Sequence, residues 1–230
     1  MGRARTLSGV LLVATLVGLV GGCGLPDPHP LLPPPSAPVF SDTADTFSFS
    51  QPTGAGSDRV PGLETFGYEV YYRFSAIGEA TDRDLPDLTQ LGANGFVSLR
   101  KADDRHPLAA TGRPLIEVPS AARAEHRVTL SFAALEAGTD PQATLSSGGS
   151  ISLRRGVEDT FTGRYQRFAC EEFESDHPDV EAYPELVQDC ATGLPVQLQL
   201  YAVAYGRDAE RFEQFSEPLY LGSIDVTFSN

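Results

Sequence analysis

The stretch "GYEVYYRF", Gly67 to Phe74, decides the fold. Tyr68, Val70, Tyr72 and Phe74 fall on one side of an extended chain, and Glu69, Tyr71 and Arg73 on the other. Strict period-two alternation, with aromatic and β-branched residues on the apolar side, predicts a half-buried β-strand. The same pattern recurs outward in both directions. Towards the N-terminus, "TFSFS" (Thr46–Ser50) alternates Phe47 and Phe49 with polar residues. Towards the C-terminus come "GFVSLRK" from Gly95, with Phe96 opposite Val97 and Leu99, and "PLIEV" from Pro114. "HRVTLSFAAL" from His126 sets Val128, Leu130 and Phe132 against Thr129 and Ser131. "SISLRR" from Ser150 follows a turn at Ser147-Gly148-Gly149. "TFTGRYQRF", "PVQLQLYAVAY", "PLYL" and "SIDVTF" complete the series. Many short runs separated by turn residues predict an all-β fold, an enlarged antiparallel β-sandwich with long insertions. Between Val196 and Tyr205 the apolar residues start on even positions and then fill both faces. That predicts a central strand buried on both sides, or a bulge. The one helical pattern is "DLPDLTQLG", Asp84 to Gly92. It spaces Leu85, Leu88 and Leu91 three apart, with Pro86 suited to a first turn and Gly92 to a stop.

Composition bounds the function. The chain carries 31 acidic and 17 basic residues, a formal charge of −14, and every basic residue except Lys101 is arginine. Nucleic acid and anionic lipid both select a basic face, so neither is expected as a charge-driven partner. A basic partner fits better. There is no tryptophan, which excludes a tryptophan platform for sugar stacking.

The N-terminus has three parts. Arg3 and Arg5 are basic, Val10 to Val20 is apolar, and Gly21 and Gly22 are small. That order reads as an export signal of residues 1–22. Val20-Gly21-Gly22-Cys23 resembles the lipobox of bacterial lipoprotein precursors. The resemblance implies a diacylglyceryl group on the Cys23 sulfur, cleavage before Cys23 and acylation of the new amine. Two or more chains are what stable membrane attachment needs. Gly24, where the sorting rule of diderm bacteria reads Asp as retention in the inner membrane, implies the outer membrane of the cell envelope. Residues 24–38 then carry seven prolines in fifteen residues. Such a tract favours polyproline II and reads as a linker over 23–38, with the β-domain over 39–230.

With Cys23 assigned to lipid, Cys170 and Cys190 remain, and an even count in an oxidising compartment favours a disulfide. Free buried thiols or a metal site are the alternatives, although only His177 lies between the two as a further nitrogen ligand. The segment they bracket, "CEEFESDHPDVEAYPELVQDC", holds eight acidic residues and no Lys or Arg. It reads as a peripheral surface excursion with three possible roles: solvated acids, a docking loop for a basic envelope protein through Glu171, Glu172, Glu174 and Asp176, or a calcium site.

"FGYEVYYRF" is similar to the central tyrosine-containing strand of fibronectin type III and related immunoglobulin-like domains, and "YAVAYGRDAERFEQFSEPLYL" to their final hairpin. The resemblance implies a sandwich, and fold alone does not supply activity.

No catalytic constellation stands out. Ser98-Leu99-Arg100-Lys101 satisfies S-x-x-K on an expected strand without the partner motifs. His29, His106, His126 and His177 are scattered. Asp82, Asp84 and Asp87, and the polar turn Asp103 to His106, read as solvated loops. The expectation is a non-catalytic interaction module without catalytic residues, metal or cofactor. The alternative is a carbohydrate- or small-ligand-binding lipoprotein using Tyr71, Tyr201 and Tyr205 as an exposed platform. A hydrolase with an unrecognised site is the third reading.

Overall fold

The computed structural model describes residues 32–41, 44–51, 64–79, 84–102, 113–119, 126–157, 165–207 and 213–228. Cys23 and residues 1–22, expected above to be an export signal, lie outside them, as do Asp82, His29 and residues 103–106. The folded unit begins at Leu31. Leu32 is already buried, and the first strand starts at Ser36. The end of the proline-rich tract therefore belongs to the β-domain, several residues before the expected boundary at Val39.

Two antiparallel sheets form the sandwich. The first is ordered β1 (Ser36–Ser41), β2 (Thr46–Ser50), β7 (Arg127–Ser131), β8 (Gln142–Leu145), β9 (Ser150–Arg154) and β5 (Arg100–Lys101). The second is built on the long strands β3 (Glu64–Ser75) and β10 (Val196–Arg207), paired along almost their whole length. β4 (Val97–Ser98) and β6 (Ile116–Glu117) flank β3, while β11 (Glu213–Phe215) and β12 (Leu219–Val226) flank β10.

The decisive alternation appears as read: Tyr68, Val70, Tyr72 and Phe74 are all fully buried. They face Phe47, Phe49, Val128 and Leu130 of the first sheet, with Phe49 edge-on to Tyr68 at 5.0 Å. β10 is buried on both faces. Leu198, Leu200 and Ala202 enter the main core, while Tyr201 and Val203 enter a second cluster on the outer face with Leu85, Leu91 and Phe96. That cluster lies against α1 (Leu88–Ala93). The helix starts later than expected because Asp87 caps it, accepting from Gln90 N–H at 2.8 Å. Gly92 falls inside the helix and does not end it.

Other runs divide differently. "GFVSLRK" is not one strand: β4 pairs in the second sheet and β5 in the first, with the chain crossing at Leu99. Leu99 is fully buried and its N–H donates to Val70 O at 2.7 Å. The crossing requires glycine at 156, where a Cβ would fall 1.8 Å from Ser98 O. "PLYL" and "SIDVTF" merge into one strand, β12. The described part of "TFTGRYQRF" holds only a bridge residue at Tyr165.

Candidate functional site

The acidic excursion is not peripheral. Between Cys170 and Cys190 the chain forms a 3-10 turn (Cys170–Glu172), α2 (Pro178–Glu181) and the start of α3 (Leu186–Thr192). Phe173, Val180, Leu186 and Cys190 are buried members of the main core. Phe173 meets Phe74 and Phe228 edge-on at 5.5 and 5.1 Å. The segment is a plug built into the core. Its ends are joined by the expected disulfide, with a Cα–Cα distance of 5.6 Å that lies in the ordinary range.

A buried ion pair holds the plug to the sandwich. Alternation carries Arg155 inward just after β9, in phase with buried Leu153. Its side chain and that of Asp179 are both 0% exposed. The guanidinium grips the carboxylate with both arms: Nε donates to Oδ2 at 2.8 Å and Nη2 to Oδ1 at 2.9 Å. Nη1 donates to the Glu172 carbonyl, and the guanidinium stacks 4.3 Å from the Phe173 ring centre. The Tyr72 hydroxyl donates to Asp179 Oδ2 at 2.7 Å, so strand β3 joins the same network. Burial opposes the charge on Arg155, yet the Asp179 hydrogen bond and the surrounding negative charge outweigh it and raise its pKa. Burial first, then Asp179, pushes the Tyr72 phenol well above its ordinary value. Charges removed this completely from water persist only when paired and fully hydrogen-bonded.

The remaining acids divide by environment. Glu171, Glu174, Asp176, Glu181 and Glu185 are exposed. Glu172 is half-buried and its Oε2 accepts from the Arg167 backbone N–H, so it belongs to the scaffold. Asp189 is half-buried and accepts from the Tyr183 hydroxyl at 2.5 Å. Of the four docking candidates read from sequence, Glu171, Glu174 and Asp176 face water and Glu172 does not.

Glu174, Asp176 and His177 bring one ligand atom each to within 4.8 Å of one another. The chemistry of the donor set opposes a cation there. Arg155 Nη2 lies 3.3 Å from His177 Nδ1. An arginine only donates, so Nδ1 must be the acceptor and Nε2 carries the proton. Nε2 is the nitrogen beside Glu174, at 3.6 Å. With a proton on it, it has no lone pair for a metal. Two carboxylates alone fall far short of the six to eight oxygens of a calcium site.

Elsewhere the structure removes other candidates. Tyr201 and Tyr205 are buried, Tyr201 completely: Phe96 and Leu91 of the α1 region pack over that face, and Tyr220 and Phe215 from the neighbouring strands β12 and β11 pack beside Tyr201 and Tyr205. The tyrosine platform is therefore lost, and only Tyr71 is half-exposed. Asp87 spends its carboxylate on the helix cap and Asp84 is exposed. Ser98 and Lys101 lie on separate strands across the Leu99 crossing. His126 is buried with Nε2 2.7 Å from the Tyr68 hydroxyl, which leaves that nitrogen engaged with a phenol.

Sequence reasoning missed Arg155 and Asp179. The phase of Leu153 marks Arg155 as inward-facing. Asp179 is hidden among seven other acids, and nothing in its neighbours distinguishes it. No family model, curated protein or solved structure matches this chain.

Proposed function

We propose that the chain is a lipid-anchored, non-catalytic interaction module of the bacterial cell envelope that docks a basic protein through the exposed acids of its plug. The observation that carries the docking reading is the mounting of those acids. Glu171, Glu174, Asp176, Glu181 and Glu185 stand on a segment fixed by a disulfide, a fully buried ion pair and core side chains. A charge array held this way loses little entropy on binding and presents a constant field to a cationic partner. The anchoring half rests on Arg3, Arg5, the apolar run and the lipobox-like tetrapeptide ending at Cys23. Gly24 after it favours the outer membrane. Residues 24–30 remain as a spacer, which in polyproline II would reach about 22 Å. The sandwich itself is read as fibronectin type III or immunoglobulin-like. In support, the two strands that carry the resemblance, β3 and β10, are central neighbours in one sheet.

The test uses an oligo-arginine peptide as the cationic probe. Association should slow as salt rises. It should be largely lost when Glu171, Glu174 and Glu181 become Gln and Asp176 becomes Asn. A control neutralising the exposed Glu117, Glu136, Glu217 and Asp225 should retain most of it. Equal losses in both variants would show that only the overall charge matters and would end the docking reading. For the anchor, Cys23→Ser should abolish labelling by an alkyne fatty acid, and surviving label would end that half.

A further inference from the structure

The corner where the chain crosses between the sheets reverses the sign of this acidic protein. β5 and β9 set Arg100 directly opposite Arg154. Like charges in such a pair repel and destabilise a sheet. Arg167 joins them through Asp140, and among the described residues the ion pairs of these three cations run to two carboxylates. Glu69 lies 3.7 Å from Arg100, and Asp140 is shared between Arg154 at 3.3 Å and Arg167 at 3.4 Å. Those distances are long for charge-assisted bonds, which close to about 2.7–2.9 Å when satisfied. The Arg155–Asp179 pair in the same molecule reaches 2.8 Å. The Arg100 Nε is buried and has no hydrogen-bond partner among the described residues. Tyr165 orients the pair from beneath: Arg100 lies over its ring at 5.8 Å, and Arg154 Nη1 donates to its carbonyl at 3.4 Å. The side chains of Arg100 and Arg154 remain 29% and 22% exposed, so a ligand can reach them.

We propose that this corner seats an oxyanion, a phosphate or sulfate group, between Arg100 and Arg154. Adjacent strands hold paired side chains roughly 5 Å apart. A tetrahedral oxyanion can bridge two guanidiniums at that spacing, accepting from both and cancelling their repulsion. The group can arrive as the free ion or as part of a phosphate polymer, since Arg100 and Arg154 both keep side-chain surface exposed.

The experiment follows the arginine Nε–Hε resonances of the mature chain during titration with inorganic phosphate, at ionic strength matched with chloride. The expected result is saturable movement of the Arg100 and Arg154 signals with phosphate and not with chloride. Arg154→Gln should abolish the saturable movement of Arg100. Arg154→Lys, which keeps the charge and the Asp140 attraction but loses the fork, should weaken binding about tenfold and serves if the glutamine variant fails to fold. A parallel titration with polyphosphate separates the sources. Tighter binding per phosphate group assigns the seat to a polymer, and equal binding assigns it to the free ion. Signals that stay still, or that move equally with chloride, or that move unchanged in the folded Arg154 variants, would overturn the proposal.

Discussion

Asp179→Ala lowers the stability of the domain by about 3–5 kcal/mol, because it leaves the Arg155 guanidinium buried and unpaired. The loss is large since the carboxylate serves two partners at once, Arg155 through two bonds and the Tyr72 hydroxyl through a third. Urea unfolding of the chain reads it as a lower midpoint. The double variant Arg155→Met with Asp179→Leu recovers most of the loss, since removing both charges also removes the desolvation penalty. If Asp179→Ala unfolded at the same urea concentration as the parent, the two residues would not be paired as described.

Phe74→Ala costs a similar amount, about 3–5 kcal/mol, the range for a large aromatic removed from a core that cannot collapse into the space. Its ring lies 5.5–6.2 Å from those of Tyr72, Phe168, Phe173 and Phe228. Those neighbours come from β3, the chain ahead of the plug, the plug and the C-terminal segment, so one cavity loosens all four. Phe40→Ala provides the contrast. Phe40 is 39% exposed at the sheet edge and stacks on Phe47 alone among the ring contacts. Its loss should be well below that of Phe74. The Phe74 and Asp179 substitutions share Tyr72 as a neighbour, and Phe173 packs against both Phe74 and Arg155, so their combined effect should differ from the sum.

Much of the sandwich is written locally. Period two in "GYEVYYRF" and "TFSFS" survives folding because one side of each strand enters the main core while the other carries polar or partly buried residues. The both-sided apolar run of β10 announces a centre strand for the opposite reason. Boundaries were legible only where a local signal sets them. Asp87 stops α1 from starting at Leu85, since its carboxylate is worth more as a cap than as a helix interior residue. The crossing at Leu99 leaves no mark, because the strand pattern continues on both sides of it and only the distant Gly156 makes room.

The plug was legible as a closed acidic segment and illegible as core. Its helices, Pro178–Glu181 and Leu186–Thr192, are too short to display helical period. Its buried residues, Phe173, Val180 and Leu186, are scattered among acids, so composition suggested a solvated loop. What decides their burial is the core they pack into and the inward-facing Arg155, both set by residues outside the plug. Likewise, Tyr201 and Tyr205 gave no warning that the outer face of β10 is covered. That cover comes from the α1 region, with Tyr220 of β12 and Phe215 of β11 packed alongside.

The central claim is that the acids of the plug are mounted on core and not on a loose loop, and hydrogen exchange tests it most directly. The amides of Val180, Leu186 and Asp189 donate to His177, Tyr183 and Glu185 carbonyls. If the plug is part of the core, these amides exchange only with global or near-global opening, with protection approaching that of β3 and β10. Exchange of these three amides at the rate of exposed loops, while β3 and β10 stay protected, would contradict the account.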